Sequence, residues 1–161
     1  MNRFAPYFLV FLLFCQAAAQ EVRITPLKED YLRDDIGIFD REQRKVIILL
    51  LEKQSQKPLG RIYLDILDKL PSGLTIDQYA RKRLNERPKM PNERADKIMI
   101  VVALQNKAVR IETSRDVWPI LTDDYCHEVN RKVMMPRFKA GLYFAGIKAG
   151  IEALMKTLNN P

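Results

Sequence analysis

Aspartates stand beside the expected ends of strands and starts of helices: Asp34 and Asp35, then Asp96, Asp116, Asp123 and Asp124. Carboxylates brought together there would suit a hard divalent cation. Calcium takes about six to eight oxygens at ~2.3–2.6 Å, so a few carboxylates with carbonyls and water suffice. A donor set rich in oxygen and poor in thiol and imidazole does not suit zinc or copper. Asp34 and Asp96 have no evident capping duty, which makes them the stronger metal-ligand candidates. Asp123 and Asp124 open a helix, where a carboxylate also complements the helix dipole, and Asp116 lies in a loop. The single histidine, His127, directly follows Cys126 on an expected helix. Neighbours at i and i+1 point apart, so the two make no catalytic dyad. No glycine-rich loop cradles a phosphate, so ester hydrolysis would need a metal-bound water. Trp118, the one tryptophan, precedes Pro119 and fits a core or rim anchor. Exposed together with Arg115 it would instead mark a protein contact, because Trp and Arg are enriched at binding hot spots.

The elements that position these residues follow from periodicity and punctuation. Asp40 with Gln43 forms a capping box ahead of a helix whose apolar stripe includes Val46, Ile47, Leu50 and Leu51. Residues 61–67 alternate through Ile62, Leu64 and Ile66, as a strand does. Thr75 and Gln78 cap a second helix with Ile76, Tyr79, Ala80 and Leu84 on its core face. Residues 98–104 are almost continuously apolar, a strand covered on both faces, and Gln105-Asn106-Lys107 turns the chain into a return strand at 108–113. Helical spacing resumes after Thr122 until Pro136, and residues 143–158 form the last helix. There Ala145, Gly146, Ala149 and Gly150 would let it lie close to a sheet. The order α-β-α-β-β-α-α predicts an α/β fold, a three-layer or open α/β sandwich with flanking helices and a mixed sheet of four strands or fewer.

The chain has 161 residues, room for one core. Arg3, the apolar run 7–14 and Ala17-Ala18-Ala19 read as a signal peptide over residues 1–19. The mature chain would be exported, periplasmic or secreted, with residues 20–33 as an irregular lead-in and one domain over 34–158. Losing Arg3 takes the formal charge from +7 to +6. Losing Cys15 leaves Cys126 alone, expected as a buried inert thiol, with pairing between molecules as the alternative. The basic cluster Arg81, Lys82, Arg83, Arg87 and Lys89 reads as a solvated helix face and loop. Without interleaved aromatic residues it is no nucleic-acid platform, and its alternative role is weak attraction to an anionic surface. Lys148 and Glu152 interrupt the last helix, so no membrane-spanning segment is expected in the mature chain.

In this order the motifs resemble the TPM domain family over roughly residues 34–158. The likeness rests on Asp34-Asp35-Ile36-Gly37-Ile38-Phe39-Asp40, on Thr75-Ile76-Asp77-Gln78-Tyr79-Ala80, and on Asp96 ahead of Ile98 and the apolar strand. It continues in Ala108-Val109-Arg110-Ile111-Glu112, in Leu121-Thr122-Asp123, and in the set Pro136, Phe138, Gly141, Tyr143 and Gly146. The resemblance implies calcium as cofactor and a weak, metal-assisted acid phosphatase activity located among the aspartates named above. The chain departs from the family pattern after Glu112. Thr113-Ser114-Arg115-Asp116-Val117-Trp118 replaces a glycine-rich acidic loop. The expectation is therefore a non-enzymatic accessory domain for an envelope or membrane protein, with calcium binding and weak phosphatase activity as the alternative.

Overall fold

A computed structural model describes residues 31–87 and 96–160. The expected signal peptide, most of the lead-in and Lys89 lie outside the described residues.

Four strands form one mixed sheet in the order β1-β2-β3-β4: β1 (Leu32–Asp34), β2 (Arg61–Leu67), β3 (Lys97–Ala103) and β4 (Ala108–Thr113). The first three are parallel and β4 runs antiparallel to β3. The expected mixed α/β sandwich is therefore present, with one more strand than the sequence pattern gave. Leu32–Asp34 is too short to show periodicity, and it becomes a strand by pairing with Leu64, Asp65 and Ile66.

Helices cover both faces. α1 (Arg41–Ser55) follows the Asp40–Gln43 capping box, and α2 (Ile76–Glu86) follows the Thr75–Gln78 box. α1 packs Ile47, Ile48 and Leu51 onto Ile62, Leu64, Ile66, Ile98 and Ile100, together with α5 (Tyr143–Asn159). At about 1.5–3 kcal/mol for each fully buried aliphatic side chain, this layer dominates the core. α2 covers the opposite face with Tyr79, Ala80 and Leu84 against Tyr63, Leu67, Met99 and Val101. Strands β1, β2 and β3 advance in one direction, yet their two connecting helices lie on opposite faces. The two crossovers thus have opposite hands, and one departs from the usual right-handed rule. The consequence is that Tyr63, Asp65 and Leu67 of β2 are buried on the face that α2 covers, while Arg61 at the strand's start stays half-buried.

The chain after β4 corrects one expectation. α3 (Asp123–Glu128), capped by Thr122, runs without a break into a π-helical segment (Val129–Met134) and α4 (Met135–Lys139). Pro136 therefore does not end the helix. Its ring would press on a carbonyl four residues back, and the wider π turn, with Met135 N–H reaching Asn130 O, makes room for it. The small residues of α5 accept this segment rather than the sheet. A Cβ on Gly146 would fall 2.5 Å from Phe138 Cε1, and one on Gly150 would fall 2.7 Å from Met134 Sδ. Gly146→Ala is expected to lower stability by roughly 1–3 kcal/mol, the usual cost of overpacking. Urea unfolding checks this, and an unchanged midpoint would contradict the packing.

Candidate functional site

The strand directions decide which aspartates can meet. Asp34 ends β1 and sits level with Ile66 and Val102, whereas Asp96 precedes β3 at the sheet's other edge. Six residues of strand at ~3.3 Å each separate the two levels, roughly 20 Å. Calcium ligands must approach within ~2.6 Å of a common point, so Asp34 and Asp96 cannot share an ion. Asp96 lies at the amino end of its strand, not at the carboxyl edge where α/β sites usually form. Asp34 also has a structural duty: its carboxylate accepts the Ile38 N–H at 3.2 Å and the Phe39 N–H at 3.4 Å, shaping the turn into α1. Asp123 faces Arg110 Nη2 at 3.8 Å, and Asp116 and Asp124 point to solvent. Among the described residues no three acids, histidines or cysteines are grouped to hold a metal ion. Cys126 is buried with its thiol 3.9 Å from Leu121 O, while His127 next to it is exposed.

Beneath α2 lies a charged network that the sequence pattern did not reveal. Asp65, on the middle of β2, has no exposed surface. Arg83 Nε donates to its Oδ2 at 2.6 Å and Arg87 Nη2 to its Oδ1 at 3.0 Å. The Arg87 guanidinium also stacks 4.7 Å over the Tyr63 ring. The hydrogen bond that Arg83 donates to Asp65 raises the pKa of Arg83, and burial raises that of Tyr79, whose hydroxyl lies 3.5 Å from the same carboxylate. On β4, Glu112 accepts from Arg110 at 2.7 Å and from Arg81 at 3.2 Å, and Arg110 reaches Asp77 at 3.2 Å. Arg83 and Arg87 are thus drawn into the layer beneath α2, which corrects their reading as part of one solvated basic face, whereas Arg81 and Lys82 stay exposed as expected. The sequence signal was the odd-numbered Asp65 in a strand whose even positions are aliphatic, with Arg83 on α2 and Arg87 just past its end spaced four apart.

The loop after β4 is the most distinctive surface. Ser114 fixes its start, donating its N–H to Lys97 O and accepting the Lys97 N–H on its hydroxyl. Val117 and Trp118 N–H both reach Ser114 O, and Ile120 and Leu121 N–H both reach Val117 O, at 2.9–3.1 Å. Val117 and Leu121 are fully buried and pin the loop to the core. Between these anchors Arg115, Asp116 and Pro119 face solvent, and Trp118 is 52% exposed. No residue of this loop needs a positive φ, since among the described non-glycine residues only Lys107 has one. The glycines of the family pattern are replaced here by a compact helical turn.

The TPM domain family matches residues 32–157. The chain belongs to this family. Two solved structures share the TPM fold seen here. The N-terminal domain of a protein from P. gingivalis has a TM-score of 0.68 at 21% identity, covering 81% of this chain and 82% of that one. The BA42 protein of the psychrophilic bacterium Bizionia argentinensis has a TM-score of 0.58 at 18% identity, covering 78% and 84%. No curated protein gives a significant match. Among the described residues no helix of this TPM domain is long and apolar enough to cross a membrane.

Proposed function

We propose that this TPM domain is an exported accessory module that binds an envelope or membrane protein through the loop carrying Arg115 and Trp118, without catalysing a reaction of its own. The observation that carries this reading is Trp118, the chain's one tryptophan, half exposed on a loop whose neighbours Val117 and Leu121 are fully buried. A large aromatic surface in water is unfavourable for the isolated domain. Covering it with a partner returns that free energy, and a loop already held by backbone hydrogen bonds loses little entropy on binding. Arg115 beside it offers a planar group for carboxylates or carbonyls. The separation of Asp34 from Asp96 favours this reading over calcium ligation by the acids expected from the sequence. The protonated, buried Cys126 likewise offers no nucleophile.

Trp118→Ala should leave unfolding within about 0.5 kcal/mol of the parent, as surface substitutions do. It should weaken partner binding by about 2 kcal/mol or more, roughly thirtyfold in Kd. The test is the size of the assembly formed by the full chain in the envelope fraction. A parent larger than its monomer and a variant reduced to monomer support the proposal, and identical sizes contradict it.

A further inference from the structure

A second surface, independent of the Trp118 loop, lies at the opposite edge of the sheet. The β3–β4 turn and α4 enclose a cleft of about 370 Å³. Such a volume falls at the small end of the ~300–1,000 Å³ typical of small-molecule pockets. Val109, Met135, Phe138 and Tyr143 supply apolar wall, with the Phe138 and Tyr143 rings 5.3 Å apart. Among the described residues Lys107 and Lys139 are the charged ones lining the cleft, and no acid lines it. Both lysines are exposed, and neither has a salt bridge among the described residues.

One feature shows that the cleft is built at some cost. Lys107 has φ of 49°, a left-handed conformation that glycine adopts freely and lysine does not. The turn thus holds a cation where backbone energetics favour glycine. The other wall, Met135 and Phe138 of α4, is carried by the π-helical segment. Its Asn130 donates to Val109 O at 3.0 Å, binding this segment to the edge of β4, and Met135 and Phe138 follow directly.

We infer that this cleft binds a small amphipathic carboxylate, its apolar tail between Phe138, Met135 and Val109 and its carboxylate between Lys107 and Lys139. The apolar wall alone would accept any hydrophobe. Two cations in a lining that holds no acid among the described residues make an anionic head the complementary one.

Titration of the full chain with decanoate, below its aggregation threshold, tests this, with decanol as the neutral control. Saturable decanoate binding is expected, with decanol at least tenfold weaker. Lys107→Ala and Lys139→Ala should each weaken decanoate roughly two- to fivefold, the range of exposed ion pairs. Lys107→Gly should weaken it equally while raising the thermal midpoint, because it relieves the left-handed lysine. This variant separates loss of the cation from loss of the fold. Decanol binding as well as decanoate would overturn the inference. So would the absence of saturable binding, unchanged affinity in the lysine variants, or a dimer that buries the cleft and resists decanoate in sedimentation.

Discussion

Asp65→Ala is expected to lower stability by about 3–5 kcal/mol, the usual result of removing one partner from a buried ionic group. The carboxylate is sealed between β2 and α2 and holds two guanidinium groups that are themselves mostly buried. Without it, Arg83 and Arg87 must either remain charged in a poorly solvated layer or pull away, taking the end of α2 and the cation–π contact on Tyr63 with them. Arg83→Met should cost less, because Arg87 still neutralises Asp65. An Asp65→Leu/Arg83→Met/Arg87→Met chain should recover most of the loss, since well-packed apolar groups often replace a buried ion pair without penalty. Denaturant unfolding of the set checks all three. A loss below about 1 kcal/mol for Asp65→Ala would mean that water reaches the carboxylate. The raised Arg83 pKa adds no pH dependence in the working range. Its contribution is complete below the ordinary guanidinium pKa and is lost only as pH rises beyond it.

Alkaline destabilisation centred on Cys126 is the second large effect. Burial, with a smaller contribution from Asp123, pushes its thiol from 9.0 up to about 12. The folded state therefore keeps a proton that the unfolded chain gives up. Stability from this group is complete below pH 9 and declines as pH rises from there towards 12. The slope is about 1.4 kcal/mol per pH unit and the total about 4 kcal/mol. Burial raises the pKa of Tyr63 and Tyr79 as well, so they add to the slope above pH 10. Cys126→Ala isolates the thiol: between pH 9 and 10 the parent should lose stability with pH and the variant should not. Parallel pH profiles would contradict a protonated buried thiol. The same burial predicts that thiol reagents label Cys126 only upon unfolding.

Local rules made much of the fold legible. Both capping boxes place the side chain and backbone partners three residues apart, so Asp40–Gln43 and Thr75–Gln78 could be read directly. The apolar run of β3 announced a strand covered on both faces. What stayed hidden depends on pairing between distant segments. β1 has three residues and exists only through β2. Asp65 occupies the position of an outward residue in an alternating strand, and only the placement of α2 on that face buries it. Pro136 reads as a helix terminator until the π-helical segment makes space for it. The spread of the aspartates has the same origin. Asp34 and Asp96 both flank strands, and only the parallel pairing of β1, β2 and β3 puts them at opposite edges. Trp118 was legible as an anchor or a contact, but its exposure depends on which loop residues the core takes, and it takes Val117 and Leu121.

Site-specific photo-cross-linking in the producing cells tests the accessory-module reading most directly. A photoreactive residue at position 116, beside Trp118, is compared with one at Leu49 on the exposed side of α1. A discrete adduct from position 116, absent from position 49 and lost when Trp118→Ala is added, is the predicted result. No adduct at position 116, or one whose yield ignores Trp118→Ala, would contradict a partner seated on this loop.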